Sequence, residues 1–136
     1  MFYKKLYFVF GWLVIVALAV LYYLFNPAKY SFFPKCPFYS LTGFNCPGCG
    51  SQRAINALLH GNLKSAAGDN FLLVASLPFL AVHFFYKIKS AYLKTDTRWA
   101  ILYNPLTPKI IFCVVVLFWV FRNIPVSPFS YLAAGR

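Results

Sequence analysis

The chain has 136 residues, 61% hydrophobic and 21% aromatic, with thirteen Lys and Arg against two acids, Asp69 and Asp96. A soluble domain is nearer half apolar and a quarter charged, so this composition sits on the membrane side of both averages. The formal charge of +11 would suit a nucleic acid. The basic residues flank apolar runs, however, and form no cluster with stacking aromatics, which excludes nucleic acid and points to lipid head groups.

The first element is Leu6 to Phe25, LYFVFGWLVIVALAVLYYLF, twenty residues without a charge. A helix of that length covers roughly 30 Å, the hydrocarbon thickness of a bilayer. Tyr7, Trp12, Tyr22 and Tyr23 include rings near both ends, where amphipathic rings settle. Ala17-Leu18-Ala19 fits a leader cleavage pattern, but the apolar run continues to Phe25, so an uncleaved span is expected.

A cysteine-rich loop and a short helix follow, together covering residues 34–62. Pro34, Pro37 and Pro47 bias the residues before them toward extended backbone, and Cys36 and Cys46 are two of those residues. Gly43, Gly48 and Gly50 are candidates for positive φ. Ser51 is expected to cap a helix over Gln52 to His60, with Gly61-Asn62 as its stop. Arg53, Asn56 and His60 fall at i, i+3 and i+7, a polar stripe on this amphipathic helix. Cys49, just before the helix, would find its thiolate favoured by the helix dipole.

Phe71 to Tyr86 predicts a second span, about 69–88 with its flanks, with Pro78 removing one backbone donor. His83 near its end is expected to be interfacial. The segment Ile88 to Leu102 is mixed in polarity and expected to lie along the inner surface. Lys109 to Phe121, extended to about 106–124, predicts a third span, with Cys113 as a small apolar filler. Pro125 and Pro128 should keep the tail RNIPVSPFSYLAAGR extended at the interface. Five basic residues lie in the 23-residue loop from Lys87 to Lys109, against four in the 45-residue stretch from Asn26 to Asn70. This density favours a cytoplasmic N-terminus, with the cysteine loop and the tail sharing the outer face.

The stretch CPFYSLTGFNCPGCGSQRAINALLHGNL resembles the signature of bacterial membrane proteins grouped as domain of unknown function 2752, C-P…T-G-x-x-C-P-x-C-G-x-T-R-A…L-x-x-G. Cys36, Pro37, Thr42, Gly43, Cys46, Pro47, Cys49, Gly50, Arg53, Ala54 and Gly61 meet it, and Gln52 stands where Thr is usual. The tail RNIPVSPF is similar to the family's ending. The resemblance implies a small multi-span protein of the bacterial inner membrane and implies no activity.

The expected fold is an all-α membrane protein of one domain, 1–136, with three transmembrane helices, an extramembrane Cys-rich loop and a short amphipathic helix. The loop admits several chemistries. Cys46-x-x-Cys49 has zinc-ligand spacing, with Cys36 as a third ligand and His60 or water as a fourth. Alternatively, Cys36 pairs with Cys46 or Cys49 in a disulfide, or the pair exchanges with a redox partner. No HExxH, GxSxG or P-loop is present, so no catalytic residue is assigned. The leading expectation is a binding or assembly module, in which Arg53, Asn56 and His60 join Arg122 and Asn123 on the outer face. Its partners would be lipid head groups or another membrane protein. A metal-binding or thiol-redox membrane enzyme is the alternative.

Overall fold

A computed structural model describes residues 2–94, 99–127 and 129–133. Asp96, Arg98, Pro128 and Arg136 lie outside them. The described residues form helices and no strand: α1 (Phe2–Leu24), α2 (Pro37–Thr42), α3 (Ser51–Leu59), α4 (Leu63–Asp69), α5 (Phe71–Leu93), α6 (Thr107–Arg122) and a 3₁₀ turn at Phe129–Leu132.

Three of these helices are long and apolar. Of the described helices, α5 is the one long and apolar enough to cross a membrane, and the apolar part of α1, Val9–Leu24, is shorter. The 16 residues of α6 rise about 24 Å, short of a bilayer core. It begins at Thr107-Pro108 and stops at Arg122, one residue inside the expected bounds at the front and two at the back. By contrast α5 runs past Tyr86 to Leu93, so the expected surface segment from Ile88 is helical at its start. Pro78 sits within α5.

The protein core is small and lies outside these long helices. Ala54, Ala57 and Ala66 are buried where α3 meets α4, with Leu58, Leu73 and Val74 packed around them. Small side chains let the two short helices approach closely, and Gly61 at φ +73° makes the turn between them. Asn62 caps α4 by accepting from the Ser65 amide at 3.0 Å, and Asn70 caps α5 through the Leu73 amide at 3.0 Å.

The long helices meet this cap by their ends. The C-terminal end of α1 receives Asn56, whose side-chain amide donates to the Tyr22 carbonyl at 2.6 Å. The N-terminal end of α5 enters through buried Asn70, and the C-terminal end of α6 through buried Arg122. No residue of α5 is buried, and the described side chains of α1 are all half-buried or exposed. Cys113, expected to fill a packed gap, is exposed on α6, because no neighbouring helix of the chain covers it. The tail makes a 3₁₀ turn at Phe129–Leu132, where extended backbone was expected, and Phe129 stacks on Phe121 at 4.9 Å.

Candidate metal centre

The loop is more regular than its prolines suggest. Cys36 is extended (φ −63°, ψ 115°) as a residue before proline should be, yet Pro37 then opens α2 at a first-turn position. There the missing amide costs nothing, because that donor has no intrahelical acceptor anyway. Gly43 ends α2 at φ +74°, and its amide donates to Tyr39. Cys46-Pro47-Gly48-Cys49 closes a tight turn, with the Cys49 amide donating to the Cys46 carbonyl at 3.1 Å. Gly50 is left-handed at φ +81° and is the cap residue of α3. Ser51, expected as that cap, is the first helical residue. Its hydroxyl accepts from Asn70 at 2.9 Å. Of the three loop glycines expected at positive φ, Gly43 and Gly50 adopt it and Gly48 does not.

These bends bring three sulfurs together. Cys36 Sγ lies 3.3 Å from Cys46 Sγ, which lies 3.2 Å from Cys49 Sγ. All three fall within 4.8 Å of one another. A disulfide requires about 2.05 Å, and all four cysteines of the chain are free thiols. Around one tetrahedral ion with metal–sulfur bonds of about 2.3 Å, neighbouring sulfurs would stand about 3.8 Å apart. A displacement of about half an ångström separates the observed cluster from that geometry.

The environment divides the three thiols. Burial pushes Cys49 up to about 12, helped by its hydrogen bond with Cys46. Cys36 is lowered, first by the backbone amide of Tyr39 turned toward its sulfur, against a smaller opposing effect of burial. This reverses the expected order. The sequence places Cys49 at a helix start, but its side chain is buried (8% exposed) and the desolvation outweighs the dipole. In metal-free protein at pH 8, Cys49 thus stays protonated more fully than Cys36. Iodoacetamide at that pH is therefore expected to modify Cys36 first and Cys49 last. Cys49 alkylated ahead of Cys36 in a peptide map would contradict this electrostatic picture.

Two buried side chains clasp the turn from behind. Arg122 Nη1 donates to the carbonyls of Cys46 at 3.0 Å and Pro47 at 3.2 Å. Its Nη2 donates to the Cys49 carbonyl at 3.1 Å. Asn70 Nδ2 donates to the Pro47 and Cys49 carbonyls at 3.0 and 3.2 Å. Arg122 is 1% exposed, its charge lies over the Phe118 ring at 4.9 Å, and its Nε has no partner. Asn123 adds a two-point clamp on Asn45: its Oδ1 accepts from the amide at 2.8 Å, and its Nδ2 donates to the carbonyl at 2.9 Å. Gln52 ties the loop entrance by donating to Pro34 O at 3.2 Å.

The polar stripe of α3 is spent inside the chain. Arg53 pairs with Asp69 at 3.2 Å, and burial pushes that carboxyl up while Arg53 acts the other way. Asn56 is buried. His60 lies at the other end of α3, stacked on Tyr23 at 4.5 Å, with Nδ1 2.8 Å from the Asn56 carbonyl. It borders a cleft of about 360 Å³ with Asn26, Asn62 and Ser65. The cluster of Cys36, Cys46 and Cys49 does not include it. His60→Ala is accordingly expected to keep full metal content while losing about 1 kcal/mol of stability, a stacked ring pair's contribution. Loss of metal in that variant would return His60 to the ligand set. The roles of Asn70 and Asn45 are not evident from sequence, although Asn70 carries a signal as a helix-capping residue directly before an apolar run.

Residues 36–84 match the family described as protein of unknown function (DUF2752), the one the cysteine motif resembles. The match takes in the three cysteines, α2 to α4 and most of α5. The tail lies beyond the matched residues. No curated protein and no solved structure matches the chain.

Proposed function

We propose that the chain is a small three-span protein of the bacterial inner membrane whose cysteine loop is a metal-binding module. The observation that carries this reading is the convergence of Cys36, Cys46 and Cys49 sulfurs within 4.8 Å, from positions ten and three residues apart. Free thiols at this spacing match the donor set of a thiophilic divalent ion, and zinc fits it best. Cys36, Cys46 and Cys49 hold the ion, while Arg122 and Asn70 fix the turn that presents two of them. Because Arg53, Asn56, Arg122 and Asn123 are engaged within the chain, they serve the module's architecture in this reading. The three-span part is supported by the ends through which α1, α5 and α6 meet one cap. It is supported also by the apolar side chains those helices leave uncovered, such as Leu13 (62% exposed) and Phe112 (69%). Lipid is the partner that suits such surface, and the loop charge density supports a cytoplasmic N-terminus.

Elemental analysis of protein purified in detergent without chelator tests the metal. About one equivalent of zinc per chain is expected, and less than about a tenth would end this reading. A second reading, assembly with another membrane protein, is favoured by Leu41 and Phe44, 85% and 58% exposed in the segment between Cys36 and Cys46. Co-purification unaffected by Leu41→Ser and Phe44→Ser would count against it.

A further inference from the structure

A divalent ion on Cys36, Cys46 and Cys49 would retain one coordination position. Among the described residues no fourth His, Cys, Asp or Glu joins the sulfur cluster. Cys49 is buried while Cys36 and Cys46 are half-buried, so the uncovered side of the cluster is the side of Cys36 and Cys46. The back is closed: Arg122 and Asn70 occupy the carbonyl face of the turn. Solvent therefore reaches the cluster at Cys36 and Cys46, both of them part-exposed. Three protein ligands with an open fourth position is the arrangement that zinc sites use when the ion must bind something else.

Charge and softness then limit what enters. Three thiolates on a divalent ion carry one net negative charge, and so much donation leaves the ion a weak acidifier of bound water. A soft donor set prefers a further sulfur over an oxygen. The buried Arg122 guanidinium supplies one positive charge beside the cluster, with no carboxylate partner among the described residues. Exposed Lys35 adjoins Cys36. A second anion at the ion is therefore compensated where it would otherwise raise an uncompensated charge of minus two.

Resting on the metal reading above, we infer that the open position takes a low-molecular-weight thiol, bound as its thiolate. In this exchange the thiol gives its proton to solvent, its sulfur bonds to the ion, and the resident water leaves, with no change of oxidation state.

The full chain in detergent, carrying Cys113→Ser to remove the exposed thiol of α6, would be loaded with Co(II) and titrated with 2-mercaptoethanol. The sulfur-to-cobalt charge-transfer band is expected to grow by about one third, as four cobalt–sulfur bonds replace three, and to saturate at one thiol per chain. Acetate at equal concentration should leave it unchanged. A three-thiolate band that ignores the thiol overturns this inference and leaves the metal site standing. An equal response to acetate overturns the thiol assignment. Absence of any charge-transfer band overturns the metal reading and the inference with it.

Discussion

Replacing Cys46 by serine is expected to empty the cluster, lowering bound zinc from about one equivalent to below about a tenth. Cys46 Sγ lies 3.3 Å from Cys36 and 3.2 Å from Cys49, so its loss leaves two sulfur donors, too few to hold the ion. Serine keeps the size and the turn, which isolates the ligand effect from the fold. A bound ion stabilises the state that holds it. With free zinc roughly a thousand-fold above the dissociation constant, the stabilisation is about 4 kcal/mol. The variant should therefore melt lower than the parent in zinc-containing buffer and at the parent's temperature when both are stripped by chelator. Unaltered zinc content in Cys46→Ser would refute the site.

Arg122→Met is expected to act mainly on the loaded protein. In the metal-free chain the acceptors are not orphaned. Pro47 and Cys49 carbonyls keep Asn70, and the Cys46 carbonyl keeps the Cys49 amide. Methionine also relieves the desolvation of a buried cation, and such exchanges are often close to neutral. With the ion in place the cluster is anionic and the guanidinium is its counter-charge. At an effective dielectric of about 20 and a separation of about 7 Å, that interaction is worth about 2 kcal/mol. Zinc affinity should fall roughly thirty-fold, with less than about 1 kcal/mol lost in the stripped protein. A competition titration with a zinc indicator, paired with melts in chelator, reads both arms. Equal destabilisation with and without metal would show that Arg122 is a clasp and nothing more.

Much of the site was legible in the sequence, and the misses have physical causes. The cysteine spacing left a metal, a disulfide and a redox pair open; the three sulfurs converge where Gly43 at positive φ reverses the loop between Cys36 and Cys46. The helix α2 was missed because Pro37 was weighed for its effect on Cys36 and not as a helix-opening residue. His60 was grouped with the cysteines by residue type. It lies eleven positions of mostly helical chain after Cys49, about 16 Å at helical rise, beyond any shared ion. Arg122 reads locally as a cation at the end of an apolar run. Its burial is decided by carbonyls more than seventy positions earlier, which no local pattern encodes. The same holds for the stripe of α3, whose partners Tyr22, Tyr23 and Asp69 come from other elements.

The last of the long helices carries the residue that closes a turn made near the chain's middle. During synthesis the cysteines, α3 and α4 emerge long before α6. Until α6 is in place the Cys46–Cys49 turn lacks the Arg122 donors and the Asn123 clamp on Asn45. A chain halted before α6 would present its thiols on an unlocked loop, open to reducing or oxidising partners and to proteases. Docking of α6 and locking of the cysteine turn are thus coupled, because the donors that hold the turn arrive with that helix.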